Sequence, residues 1–221
     1  MDPGQEELKR EITRVSKALY QRGLINALEG NVSARIPGKE EFWITPSQVF
    51  KGDLKTCDLV RMSIQGEILE GTLKPSIEWR MHSAIYRVRP DVNAVVHAHN
   101  PMVLALSLLG KELKNTLTLE SVLLGKLGRV DFRLPGSGEL AEAVAGMART
   151  GVNAIILDRH GVVGLGESLV EAEAIVESLE SLALIEYVCY SLGEEPKELP
   201  SSVLKSLEKY LEAGSTSGNR V

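Results

Sequence analysis

Cysteine is nearly absent from this chain: Cys57 and Cys189 stand far apart and form no CxxC pair. Neither a disulfide framework nor a thiolate metal cage can be read from two such residues, and the scarcity suits a reducing compartment. Basic excess is lacking too, with 25 Lys and Arg against 30 Asp and Glu, a formal net charge of −5 and no basic stripe. That balance argues against nucleic acid as a partner. A small anionic substrate stays open, because a few backbone N–H groups and hydroxyls hold a phosphate whatever the overall charge. Long hydrophobic runs are missing: the most apolar stretch, Met102 to Gly110, is too short to span a bilayer. The first residues, Met1 to Glu7, are polar and acidic where a signal peptide is basic and then apolar. A cytoplasmic protein is the expectation.

What is present is ordinary globular material. Aromatics are sparse at 5%, but 43% of the residues are hydrophobic and 25% charged, and 221 residues suffice for one sizeable core. Leu8, Ile12, Val15, Leu19 and Tyr20 recur at helical spacing and predict an opening helix over Gln5 to Arg22. From Asn31 to Ile64 the texture becomes strand-like, in short runs Val32 to Ile36, Glu41 to Ile44 and Leu59 to Ile64, parted by Pro37-Gly38, Thr45-Pro46-Ser47 and Gly52-Asp53. Pro75-Ser76 opens a predicted helix through Arg87, with Ser76 as its N-cap. A buried strand over Asn93 to His99 follows, then a short helix from Pro101 to Leu109, a strand over Arg129 to Leu134 and a helix over Glu139 to Arg149. Strands over Ala154 to Asp158 and Val162 to Leu165 flank an Arg159-His160-Gly161 turn, and Ser168 to Leu192 reads as a long helix. Several neighbouring strands are joined by loops too short for parallel crossovers, so a mixed or mostly antiparallel sheet with flanking helices is expected, in one domain over residues 1–213. The last residues, 214–221, are small and polar and read as a loose tail.

The chemistry gathers around the few histidines, of which there are 4. His97-Ala98-His99 ends an apolar strand, where residues two apart share a face and two imidazoles can ligate one ion. His160, in the turn before Gly161, is placed to be the third ligand. Three protein ligands with a coordination position left over describe a catalytic zinc site, and manganese or cobalt suits the same donors. Glu78 and His82 lie four apart and share a helical face. Glu78 is then a fourth, displaceable ligand or a general base, while His82 binds the ion, orients Glu78 or is satisfied in the core. Gly30-Asn31-Val32-Ser33, Thr45-Pro46-Ser47 and Lys74-Pro75-Ser76 are short loops of the type that presents donors to phosphate. Taken singly, each feature has an ordinary structural explanation; their conjunction carries the functional reading.

Together the segments Gly30 to Arg35, Ile44 to Ser47, Lys74 to Glu78 with His82, Ile85 to Arg87 running into Asp91 to His99, and His160-Gly161 ahead of Gly166-Glu167-Ser168-Leu169 resemble the class II aldolase and adducin head superfamily, in its L-fuculose-1-phosphate aldolase branch. The resemblance covers residues 8–190. It implies an α/β/α fold with a central, mostly antiparallel sheet, assembled as a homotetramer with active sites between subunits. It further implies zinc held by His97, His99 and His160, Glu78 as resting-state ligand and proton carrier, and a substrate phosphate held by Gly30, Asn31, Ser47 and Ser76. The activity it implies is cleavage of a ketose 1-phosphate to dihydroxyacetone phosphate and an aldehyde.

Three departures bear on the substrate. Ser47-Gln48 stands where those aldolases have Thr-Gly, Ile77 stands where they have a second serine, and Leu117-Thr118-Leu119-Glu120 replaces a tyrosine that donates a proton to a neighbouring subunit's site. Tyr210 is the counterpart considered for a second, C-terminal tyrosine. Sugar-phosphate dehydratases of the methylthioribulose-1-phosphate type and decarboxylases share the ligand set and are the alternatives. Adducin-type heads keep the fold as interaction modules without metal, and the retained histidines argue against that class.

Overall fold

The computed structural model describes residues 3–216. The elements in chain order are α1 (Pro3–Gln21), β1 (Asn31–Arg35), β2 (Glu41–Ile44), β3 (Val60–Ser63), β4 (Ile68–Glu70), α2 (Trp79–Val88), β5 (Ala94–Ala98), α3 (Pro101–Leu108), α4 (Leu119–Leu123), β6 (Leu127–Val130), α5 (Gly138–Ala148), β7 (Ala154–Leu157), β8 (Gly161–Gly166), α6 (Leu169–Ser191) and α7 (Ser201–Thr216). All eight strands lie in one sheet ordered β4-β3-β2-β1-β5-β8-β7-β6. Every neighbouring pair is antiparallel except β6 with β7. The mostly antiparallel sheet expected from loop lengths is the one observed.

Strand periodicity divides the core in two. On β5, Ala94, Val96 and Ala98 face one layer, where they meet Ile12, Val15 and Leu19 of α1, Val103 and Leu106 of α3 and the Leu169 to Ala183 stripe of α6. Val95 faces the other way, with Phe42, Met62 and Val163, onto Met81, Ile85 and Tyr86 of α2 and Leu140 and Val144 of α5. Helices thus cover both faces of a central sheet, giving three layers. α6 succeeds as a long helix because Ser168 accepts from the backbone N–H of Glu171 at its N-terminus and because its buried residues fall at three- and four-residue spacing.

Several local expectations are corrected. Ser76 is not an N-cap: α2 starts at Trp79, with Glu78 itself in the capping position and making no cap hydrogen bond, because its side chain is turned into the site. The strand placed at Arg129 to Leu134 begins earlier, at Leu127, and stops at Val130. Parallel pairing with β7 ends there, leaving Phe132 and Leu134 exposed. The edge strand β4, the short helix α4 and the helix α7 had no counterpart in the pattern reading; β4 is exposed along its whole length, so no alternation betrays it. Helix α7 continues to Thr216, three residues into the segment read as a tail; residues 217–221 lie outside the described residues. Among the described residues no helix is long and apolar enough to cross a membrane.

Candidate active site

β1 and β5 are neighbours with Asn31 opposite His97, so both side chains emerge on the face covered by α2. Glu78 enters this face from the N-terminus of α2, and His160 from the turn between β7 and β8. Ligand atoms of His97, His99 and His160 all lie within 4.8 Å of one another. The ring centroids of His97 are 4.9 Å from His99 and 4.7 Å from His160. The three imidazoles anticipated from the sequence therefore converge, although His160 follows His99 by some sixty residues.

The turn that presents His160 gets its sharp bend from Arg159 and its close approach from Gly161. Arg159 takes the left-handed conformation, at φ 58, and Gly161 does not. Gly161 serves by having no side chain: a Cβ there would overlap the Ala98 carbonyl oxygen and crowd the His97 ring. Only glycine lets β8 pass this close to the His-x-His strand.

Hydrogen bonds orient the rings. His97 Nδ1 lies 2.9 Å from the Val162 carbonyl oxygen, which can only accept, so Nδ1 carries the proton. His99 Nδ1 donates likewise to the Glu29 carboxylate at 3.2 Å. In the neutral rings both Nε2 atoms are therefore turned inward as lone pairs, 3.1 Å apart, with Glu78 Oε2 3.2 Å from His97 Nε2. Two lone pairs and a carboxylate oxygen aimed at one point repel one another unless a cation lies between them. His160 Nε2 is 3.3 Å from Glu78 Oε1, and neither Glu78 Oε1 nor His160 Nδ1 has a hydrogen-bond partner although both are buried. The donor set, three imidazole nitrogens and one carboxylate with a carbonyl and a second carboxylate bracing two of the rings, fits a divalent ion such as zinc.

The electrostatics agree. Burial alone would raise the Glu78 carboxyl, but His97, His160 and the Asn31 amide outweigh it and hold the group well below the usual carboxylate range. Burial and then His97 push His99 and His160 down to about 4, so both are neutral and able to ligate near pH 7. On His97 burial is overcome by Glu78, which raises the ring: the carboxylate favours positive charge beside Nε2, a place that a cation would take instead of a proton.

His82, left with three possible roles by the sequence, has both ring nitrogens committed: Nδ1 lies 2.7 Å from Ser33 Oγ and Nε2 2.5 Å from Asn31 Oδ1. It is no ligand, and burial pushes it down to about 3. Asn31 Nδ2 donates to Glu78 Oε2 at 2.8 Å. Of the residues read as phosphate contacts, Asn31 is thus spent partly on Glu78. Gly30 is left-handed at φ 73, and a Cβ there would strike Ile25. Ser47 and Ser76 lie on two loops zipped together by Ser47 N–H to the Lys74 carbonyl at 2.9 Å and Ser76 N–H to the Thr45 carbonyl at 3.1 Å. Those loops consequently offer hydroxyls more than backbone donors. Beneath them the buried Lys51 ammonium donates to the Pro46 carbonyl at 2.5 Å. Tyr210 sits on α7, exposed. Glu29 and Tyr86 were missed as site residues, and Ser33, read within a phosphate-type loop, instead lies in β1 and bonds His82 and Tyr86; the signal for Ser33 and Tyr86 was there, since Asn31 and Ser33 are two apart on a strand and Glu78, His82 and Tyr86 four apart toward a helix.

A family model for the class II aldolase and adducin N-terminal domain matches residues 10–187. The chain belongs to this family. With the class II aldolases it is a metal-dependent lyase. It is 35% identical over 175 residues to an L-fuculose phosphate aldolase of Methanocaldococcus jannaschii, spanning 79% of this chain and 93% of that one. It is 34% identical over 197 residues to a 3-oxo-tetronate 4-phosphate decarboxylase of Escherichia coli, spanning 87% and 90%. Among solved structures, an L-fuculose 1-phosphate aldolase superposes with a TM-score of 0.84 at 30% identity, over 93% of this chain and 96% of the other. This member of the family keeps three histidines and a carboxylate together; an adducin-like scaffold has no need of that arrangement.

Proposed function

We propose that the chain is a zinc-dependent aldolase that cleaves a ketose 1-phosphate of the L-fuculose-1-phosphate kind to dihydroxyacetone phosphate and an aldehyde. The observation that carries it is the convergence of His97, His99 and His160 on Glu78, whose Oε1 is buried and unpartnered. A divalent ion held by these residues would supply Lewis acidity to the substrate carbonyl and offset the negative charge that develops beside it.

The chain's own groups do the rest. Asn31 holds Glu78 by Oε2, leaving Oε1 to take a proton from, or return it to, the carbon next to the carbonyl. No Schiff-base lysine is called for, and the buried Lys51 is turned to Pro46. The hydroxyls of Ser47 and Ser76, with Gly30 and the second amide hydrogen of Asn31, form the side on which a phosphate would be held. The two paired loops keep that side rigid, so binding energy from the phosphate can be used to orient the reacting carbons. Assembly as a homotetramer in the cytoplasm completes the reading. Exposed apolar residues on α3 and α6, Leu108, Leu109, Val188 and Leu192, support association of subunits.

A decarboxylase is the second reading, favoured by two observations: the similarity to the Escherichia coli enzyme and the occupation of Leu117 to Glu120 by the capped start of α4, where the aldolases place a donor tyrosine. Loss of carbon dioxide needs the same electron sink but no acid facing a departing aldehyde. A panel of ketose 1-phosphates and 3-oxo-acid phosphates, with and without chelator, separates the two. Dihydroxyacetone phosphate formed only with metal is the expected product, and carbon dioxide in its place would overturn the assignment. Glu78→Gln is expected to retain metal and lose about 10²–10⁴-fold in turnover; turnover near wild type would remove Glu78 from its role.

A further inference from the structure

Five buried side chains form an unbroken line that alternates between α2 with its N-terminal residue and β1: Glu78, Asn31, His82, Ser33, Tyr86. The links are Asn31 Nδ2 to Glu78 Oε2 at 2.8 Å, His82 Nε2 to Asn31 Oδ1 at 2.5 Å, His82 Nδ1 to Ser33 Oγ at 2.7 Å and Ser33 Oγ to Tyr86 Oη at 2.7 Å. Exposure is at most 5% at every member. The line keeps register because four residues of helix advance about 6 Å and two residues of strand about 6.6 Å.

The direction of every bond follows from its end. Glu78, ionised, only accepts, so Asn31 turns its NH₂ toward it and its carbonyl toward His82. His82 must then carry its proton on Nε2, which leaves Nδ1 as an acceptor. Ser33 must donate to that Nδ1, and its oxygen in turn receives the Tyr86 hydroxyl proton. The alternative amide orientation would set Asn31 Oδ1 against the Glu78 carboxylate, two acceptors with no hydrogen between them.

We propose that His82 is a positioning residue for Glu78: its Nε2–H fixes the Asn31 amide so that the NH₂ holds Glu78 Oε2, and this leaves Oε1 as the oxygen that handles the substrate proton. The inference rests on the reading of Glu78 as the proton carrier, but its first test does not. In protein labelled with ¹⁵N-histidine, a long-range nitrogen–proton spectrum near pH 7 shows His82 as the neutral Nε2–H tautomer. A His82 protonated on Nδ1, or on both nitrogens, overturns the proposal whatever Glu78→Gln does.

The second test splits positioning from packing. The amide nitrogen of His82→Gln reaches the place of Nε2, whereas that of His82→Asn reaches only the place of Nδ1. His82→Asn is expected to lose about 50-fold in kcat with KM and metal content near wild type, while His82→Gln recovers to within about fivefold. Equal loss in both would overturn the positioning role. Should either fail to fold, Ser33→Ala takes its place: the tautomer of His82 is set from the Glu78 and Asn31 side, so the ¹⁵N spectrum is expected to keep the Nε2–H form. A switch to the Nδ1–H form would overturn the proposal.

Discussion

The two faces of β1 bury different chemistry. Val32 and Ala34 point into an apolar cluster shared with α1 and α6, the buried polar residues on those helices being Lys9, Ser16, Glu173 and Glu186. Asn31 and Ser33, one residue away in each case, point into a layer where Glu78, His82, His97 and Tyr86 are buried and polar. Hydrophobic contact on the first face is non-directional and tolerates small shifts, whereas the polar groups on the second have specific partners that must be met or their desolvation is uncompensated. The apolar layer thus supplies stability, and the stability holds the polar layer in register.

The sharpest way to break this comparison is at Gly161. Gly161→Ala drives a methyl into the Ala98 carbonyl and the His97 ring and is expected to weaken metal binding by about 100-fold, the scale of losing an orienting contact at a metal site, as read by competition with a chelator. Leu179→Ala on the apolar side should behave oppositely. It costs about 2–4 kcal/mol in denaturant unfolding and leaves metal stoichiometry unchanged; a loss of metal there would show that the two faces are not separable. A smaller effect is expected at Gln48, which holds φ 55 where the resembling aldolases carry glycine. Gln48→Gly should raise unfolding stability by about 1 kcal/mol by relieving left-handed strain, without touching the metal.

Much of the layered fold was legible because alternation and helical spacing report burial directly: β5 and α6 were both placed within a residue or so of their observed bounds. The metal cluster was legible for another reason: His-x-His at a strand end and a histidine before glycine each have ordinary explanations, and only their conjunction with the surrounding segments pointed to a shared ion. Illegible were features fixed only by tertiary contact. Glu78 in the capping position of α2, rather than within the helix, depends on its side chain being drawn toward Asn31 and His97. The left-handed Arg159 beside an ordinary Gly161 depends on how closely β8 passes Ala98. The Glu29 brace on His99 joins residues that no local pattern connects. β4, exposed throughout, carries no periodic signal at all.

The most direct measurement is metal content by elemental analysis of the purified protein alongside His160→Ala. The account predicts about one zinc per wild-type chain and a strongly reduced content in the variant, with folding retained by circular dichroism. Wild-type protein free of bound metal after purification with zinc present, or a His160→Ala variant that holds it as tightly, would contradict the convergence of the three imidazoles on a single ion.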